Sequence, residues 1–173
     1  MDTTIIVAIV AVAAILIGIF LGKQLFAKNT QQLVKDAEEQ AAKTIASLTE
    51  IEDTTTQKVQ AQYEDSPYPR WSELPENPPT TLPAYLRSEL VQPPQITMTN
   101  AAPLKVLIAG CGTGQHALKI AQLLPDADIL AIDISRASLA YGQRKTEKMG
   151  VKNITFRQAD ILKLGTVAEV SEG

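Results

Sequence analysis

Gly110, Gly112 and Gly114, followed by the carboxylates of Asp133 and Asp160, are the residues whose types and spacing suit chemistry. The glycines follow an unbroken apolar run, Val106, Leu107 and Ile108. That run reads as a parallel strand covered on both faces, Lys105 to Ala109, with a helix opening at Gln115. Glycine at alternate positions lets the chain turn sharply with no Cβ in the way. Such a turn brings backbone N–H groups and a helix N-terminus close to a ligand. Asp133 ends a second apolar run, Asp126-Ala-Asp-Ile-Leu-Ala-Ile-Asp133. In a β-α-β unit it stands at the C-terminal tip of the neighbouring strand and faces the same crevice. A carboxylate there accepts two hydrogen bonds from vicinal ribose hydroxyls, so the ligand implied is a nucleoside.

Two nucleoside classes compete. Dinucleotide folds read G-x-G-x-x-G, whereas Gln115 stands here where that pattern wants its third glycine. The compact form Gly110-x-Gly112-x-Gly114, preceded by Ala109, resembles motif I of the class I S-adenosylmethionine (SAM)-dependent methyltransferases. Asn153-Ile-Thr-Phe-Arg-Gln158 then leads into Ala159, Asp160 and Ile161, an Ala-Asp pair after a third strand, where that family contacts adenine. The resemblance covers Leu104 to Leu164 and implies SAM as cofactor. It places the turn of Ala109, Gly110, Cys111, Gly112, Thr113 and Gly114 at the methionine portion, Asp133 with Ile134 at the ribose, and Ala159, Asp160 and Ile161 at the adenine. It implies methyl transfer to an acceptor that the sequence does not identify. An NAD(P)-dependent oxidoreductase is the competing enzyme class, opposed by Gln115 and the Ala159-Asp160 pair. A non-enzymatic, membrane-tethered remnant is the third reading.

Each residue also has a plainer role open to it. The glycines can serve a tight turn alone, Asp133 can cap the helix after it, and Asp160 can cap the turn after the third strand. Cys111, between two glycines, is expected to be a packed thiol, since no base or electropositive setting marks it as a nucleophile. His116, in the first turn of the helix, is expected to be exposed or half-packed and not an acid or base. One histidine and one cysteine make no zinc cluster, so no metal is expected.

Those residues must be positioned by a β-α-β-α-β pattern, hence an α/β fold with a partial Rossmann-like parallel sheet. Ala117, Leu118, Ile120, Ala121 and Leu124 sit at helical spacing, and Pro125 ends that helix. The second strand is Asp128 to Ile132. Ser135 is the expected N-cap of the next helix, which runs to Met149 with Gly150 as its stop. The third strand is Asn153 to Arg157. No fourth strand is read after Leu164, so the first strand is expected to form a bare sheet edge and no residue is assigned a catalytic role. A truncated domain is the expectation drawn from this, with a degenerate binder or completion by another polypeptide as alternatives.

The chain has 173 residues and net charge −3, so no basic footprint points to nucleic acid. Thr3 to Gly22 carries no charge. At ~1.5 Å per residue it spans about 30 Å, a bilayer core. Asp2 before the run, Lys23 and Lys28 after it, and the poor cleavage site at Leu25-Phe26-Ala27 favour an uncleaved anchor over a signal peptide. The lysines place the following chain on the cytoplasmic side, so a single-pass membrane protein with a cytoplasmic C-terminal domain is expected. Ala14, Gly18 and Gly22 form a small-xxx-small face suited to a homodimer. Residues 1–28 therefore read as a transmembrane anchor and 29–62 as a helical stalk. In the stalk Leu33, Ala37, Ala41, Ile45 and Leu48 trace a stripe that weakens at Glu52 and Thr55.

Residues 63–103 hold nine of the ten prolines together with Tyr63, Tyr68, Trp71 and Tyr85. Long regular structure is precluded there, apart from a short helix within Leu82 to Val91. Tyr63-Glu-Asp-Ser-Pro-Tyr-Pro-Arg-Trp71 is similar to a segment of bacterial methyltransferases often joined to tetratricopeptide repeats. That resemblance implies a cap over the core, with Arg70 and Trp71 lining a pocket mouth; the plainer alternative is that Trp71 and Tyr68 only pack the extended segment against the core. Residues 104–173 read as the N-terminal half of a SAM-binding domain.

Overall fold

The computed structural model describes residues 3–94 and 103–166, with side chains from residue 16 onward. It divides into two compact units, Met1–Glu39 and Gln40–Gly173. The first is helical, the start of α1 (Thr3–Thr44). Among the described residues no helix is long and apolar enough to cross a membrane. The expected span from Thr3 to Gly22 falls mostly on residues whose side chains lie outside the described set, as does Ala14 of the expected dimer face. At Gly18 and Gly22 a Cβ would meet nothing within 4 Å.

The second unit is built on three parallel strands in the order β1 (Lys105–Ala109), β2 (Asp128–Asp133) and β3 (Ile154–Gln158). Leu107 stands beside Leu130, and Leu130 beside Thr155. The crossovers are α4 (Gln115–Leu123) and α5 (Arg136–Met149). Successive strand residues point to opposite faces, and one face carries Val106, Ile108, Ile129, Ala131, Ile154 and Phe156. Leu118, Ile120 and Ala121 of α4 and Leu139 of α5 pack there. The other face is open at β1, where Lys105, Leu107 and Ala109 are exposed, Leu107 to 40%. The expectation that β1 is covered on both faces is thus corrected. It is the sheet edge among the described residues, and α4 and α5 both pack on the face of Val106 and Ile108.

A second correction concerns residues 29–62. A single helical stalk was expected, but α1 stops at Thr44 and α2 (Thr54–Asp65) is a separate helix. Between them the chain runs along the outer edge of β3. Gln158 N–H donates to Ala46 C=O (2.9 Å), Leu48 N–H donates to Gln158 C=O (2.8 Å), and Ser47 bridges Gln158 in parallel. Two forces outweigh helix continuation. Ile45 gains a core position, only 4% exposed, and the edge of β3 gains partners for groups that would otherwise stay unpaired. Thr54, Thr55 and Thr56, whose β-branched side chains suit a helix interior poorly, become a helix start, with the Asp53 carboxylate accepting from Thr56 N–H (2.7 Å).

The remaining stops match the local chemistry. Ser135 caps α5 by accepting from Ser138 N–H (3.1 Å). Gly150 ends α5 at φ 68°, the left-handed stop that glycine takes without a Cβ penalty. Thr81 opens α3 (Leu82–Glu89), within the expected range.

Candidate functional site

The C-terminal ends of β1, β2 and β3 bring the candidate residues together. Gly110 N–H and Cys111 N–H both donate to Ile132 C=O (2.8 and 2.9 Å), and this pins the turn to the end of β2. All three glycines have positive φ, 72°, 54° and 79°, which L side chains rarely adopt. Gly110 is exposed, and a Cβ there would stand 3.5 Å from Ile161 Cδ1. Gly114 is engaged differently. It is buried, and a Cβ would lie 3.0 Å from Phe156 Cε1 and 3.2 Å from Gly142 Cα. It serves close helix-to-sheet packing, while Gly110 and Gly112 form the more open part of the turn.

Asp133 ends β2 with each carboxylate oxygen engaged once. Oδ2 accepts from Gly112 N–H (2.8 Å) and Oδ1 from Ser135 N–H (3.0 Å). It therefore holds the glycine turn and also braces the start of α5. An ionised carboxylate offers about four acceptor positions, so capacity for a diol remains. Ile134 beside it is half-buried. Ala159 is buried, and its N–H donates to Asp133 C=O (3.0 Å). Asp160, only 5% exposed, takes the capping role: Oδ1 accepts from Leu162 N–H (2.9 Å) at the 3-10 turn Ile161–Thr166. Ile161 is half-exposed. Burial, with the neighbouring Asp133 charge, pushes the Cys111 thiol far above its ordinary range. Such a thiol stays protonated at neutral pH and is no nucleophile. His116 is exposed. Lys163 pairs with Glu52 (2.7 Å). Among the described residues no group of three or more metal-ligating side chains stands together.

The proline-rich segment closes over the turn. Thr113 Oγ1 donates to Pro69 C=O, and Trp71 Nε1 donates to Thr113 C=O (3.2 Å). Tyr68 C=O lies 3.4 Å from where a Cβ on Gly112 would stand. Trp71 is buried at 7%, edge-on to Tyr141, whose hydroxyl donates to Trp71 C=O. Packing is thus what Trp71 does, while Arg70 and Tyr68 stay exposed. Lys145 Nζ sits 5.0 Å from the Trp71 ring centroid and donates to Ser72 C=O (2.9 Å).

Three residues at this end escaped the sequence reading. Gln158 side-chain Oε1 accepts from Arg136 Nε (2.8 Å), and its Nε2 donates to Ile134 C=O (2.9 Å). Thr49 Oγ1 accepts from Asp160 N–H (2.7 Å). Glu64 accepts from both Arg136 N–H (2.6 Å) and Ala137 N–H (3.0 Å) at the start of α5. Only Glu64 had a signal, its place in the Tyr63–Trp71 segment.

A family model described as a methyltransferase domain matches residues 101–171. An uncharacterized protein of Synechococcus sp. is 35% identical over 114 residues, covering 63% of this chain and 26% of that protein. The malonyl-[acyl-carrier protein] O-methyltransferase of Bacillus cytotoxicus is 38% identical over 66 residues, covering 38% of this chain and 22% of that enzyme. The chain thus spans about a quarter of the length of these relatives. Among solved structures, PKMT2 from Rickettsia typhi in complex with AdoHcy is 29% identical, with a TM-score of 0.34, over 36% of this chain and 12% of that one. Residues 101–171 thus match a methyltransferase domain.

Proposed function

We propose that this chain binds SAM at the C-terminal ends of β1, β2 and β3 and serves methyl transfer. The carrying observation is the Gly112 N–H to Asp133 Oδ2 bond of 2.8 Å, which joins a positive-φ glycine turn to a strand-end carboxylate. In this reading Ala109 to Gly112 approach the methionine portion, with Thr113 and Gly114 setting the turn from behind. Asp133 and Ile134 take the ribose, and Ala159, Asp160 and Ile161 border the adenine. When bound, SAM supplies an electrophilic methyl on sulfonium. The chain's own part is to orient it, and orientation supplies much of the rate in such displacements.

A membrane setting belongs to the same proposal. The uncharged run from Thr3 to Gly22, followed by Lys23 and Lys28, supports a single span with the domain on the cytoplasmic side. The small-residue face of Ala14, Gly18 and Gly22 supports a homodimer through that span.

Titration calorimetry of the full chain in detergent micelles tests the ligand. SAM and S-adenosylhomocysteine should bind, and Asp133→Ala should lose most of that affinity. Uptake of NAD or NADP instead would establish the dinucleotide reading. A folded sample that takes up neither would leave a non-enzymatic tether.

A further inference from the structure

The start of α5 is held by a residue from another part of the chain. Helix N-termini leave their first N–H groups without intrahelical partners. In α5, Ser135 takes one and the Glu64 carboxylate takes two, from Arg136 and Ala137. Ser135 Oγ in turn donates to Tyr63 C=O (3.2 Å). The same segment continues to Pro69 and Trp71, which bond the hydroxyl and the carbonyl of Thr113. Thr113 adjoins Gly112, Gly112 donates to Asp133, and Asp133 accepts from Ser135 N–H. These contacts close a ring: glycine turn, Asp133, α5 start, Glu64, proline-rich strap, glycine turn.

We propose that Glu64 is a positioning residue for the SAM site: its carboxylate clamps the strap to α5 and so fixes the distance between the glycine turn and Asp133. The inference rests on the proposed SAM site. Every hydrogen-bonded link in the ring has a backbone group on one side. The Glu64 link alone pairs a full charge with two N–H groups at a positive helix end, a strong class of bond. Glu64→Gln keeps the shape but swaps one acceptor oxygen for an NH2 that faces a backbone N–H. The strap then spends less time docked, and apparent affinity falls in proportion to the docked fraction.

The test is calorimetry of SAM with the full chain in micelles, well below every melting transition. Glu64→Gln should bind SAM about tenfold more weakly, and Glu64→Asp less weakly than that. Asn153→Ala is the control. Asn153 Nδ2 bonds the carbonyls of Ala121, Leu124 and Ala127 at the far end of the sheet, so this variant should lose stability and keep SAM affinity. Equal affinity in wild type and Glu64→Gln overturns the inference while leaving the SAM site standing. A wild type that binds no SAM removes the site and the inference together. Should Glu64→Gln fail to fold, hydrogen exchange on the wild type decides. SAM should protect the amides of Arg136 and Ala137 together with that of Gly112, and protection of Gly112 alone overturns the clamp.

Discussion

Gly114 and Gly150 share a positive φ, 79° and 68°, but not surroundings. A Cβ on Gly150 meets nothing within 4 Å, whereas one on Gly114 meets the Phe156 ring at 3.0 Å and the Gly142 backbone at 3.2 Å. Gly150→Ala should cost about 1 kcal/mol, the left-handed penalty alone. Gly114→Ala should cost about 3 kcal/mol, since overpacking adds to that penalty. Urea unfolding followed by Trp71, the chain's single tryptophan, measures both, and equal losses would contradict the packing role of Gly114. Cys111 gives a pH dependence of definite sign. Its folded-state pKa is raised above the ordinary 9.0, by burial first and then by Asp133. The folded chain therefore holds that proton where the unfolded chain has lost it. This contribution is present below pH 9.0 and is lost as pH rises above it, at no more than ~1.4 kcal/mol per pH unit. Stability measured at pH 8 and pH 10 should fall more steeply for wild type than for Cys111→Ala. Parallel slopes would show that the thiol is not held in this way.

At the scale of elements, the segment joining α1 to α2 acts as an added edge for β3. Leu48→Pro removes the donor to Gln158 C=O and leaves that carbonyl without its partner. The expected loss is about 2 kcal/mol, read by urea unfolding, and the Gln158 amide should exchange faster in the variant. A loss no larger than that of Leu48→Ala would mean the pairing contributes nothing. This edge also marks where the sequence stopped being readable. The β-α-β-α-β order, the Ser135 cap and the Gly150 stop were legible because each is local: apolar runs, a hydroxyl before a helix, a glycine after one. Ile45 and Leu48 were misread because their spacing continues the stripe of Leu33, Ala37 and Ala41. A helix and an edge segment each need only one apolar side, and what decided between them was an open strand edge far along the chain. Glu64 escaped for the same reason, since a cap supplied from a distant residue leaves no spacing signal near α5. The glycine turn and Asp133 were visible as a pair, but their direct bond was not, because spacing reports a shared crevice and no contact within it.

For the molecule as a whole, the two units divide the labour. Every hydrogen bond of the candidate site, from Thr49 to Asp160, lies within Gln40–Gly173. From residue 16 to residue 37 the side chains of α1 are exposed, including Leu16, Ile17, Phe20 and Phe26 at more than half of their area. An aqueous chain rarely leaves so many large apolar groups uncovered along one helix. In the proposed membrane setting a bilayer would cover them without asking anything of the site. A chain lacking residues 1–39 should thus keep the Trp71 emission and the SAM affinity of the full chain, with stability within about 0.5 kcal/mol, while leaving the membrane fraction of a cell lysate for the soluble one. Loss of SAM affinity in that chain, with its fold retained, would mean that the first unit belongs to the site. Continued sedimentation with membranes would put the attachment elsewhere, and the exposed row of Lys105, Leu107 and Ala109 on β1 would be the next surface to alter.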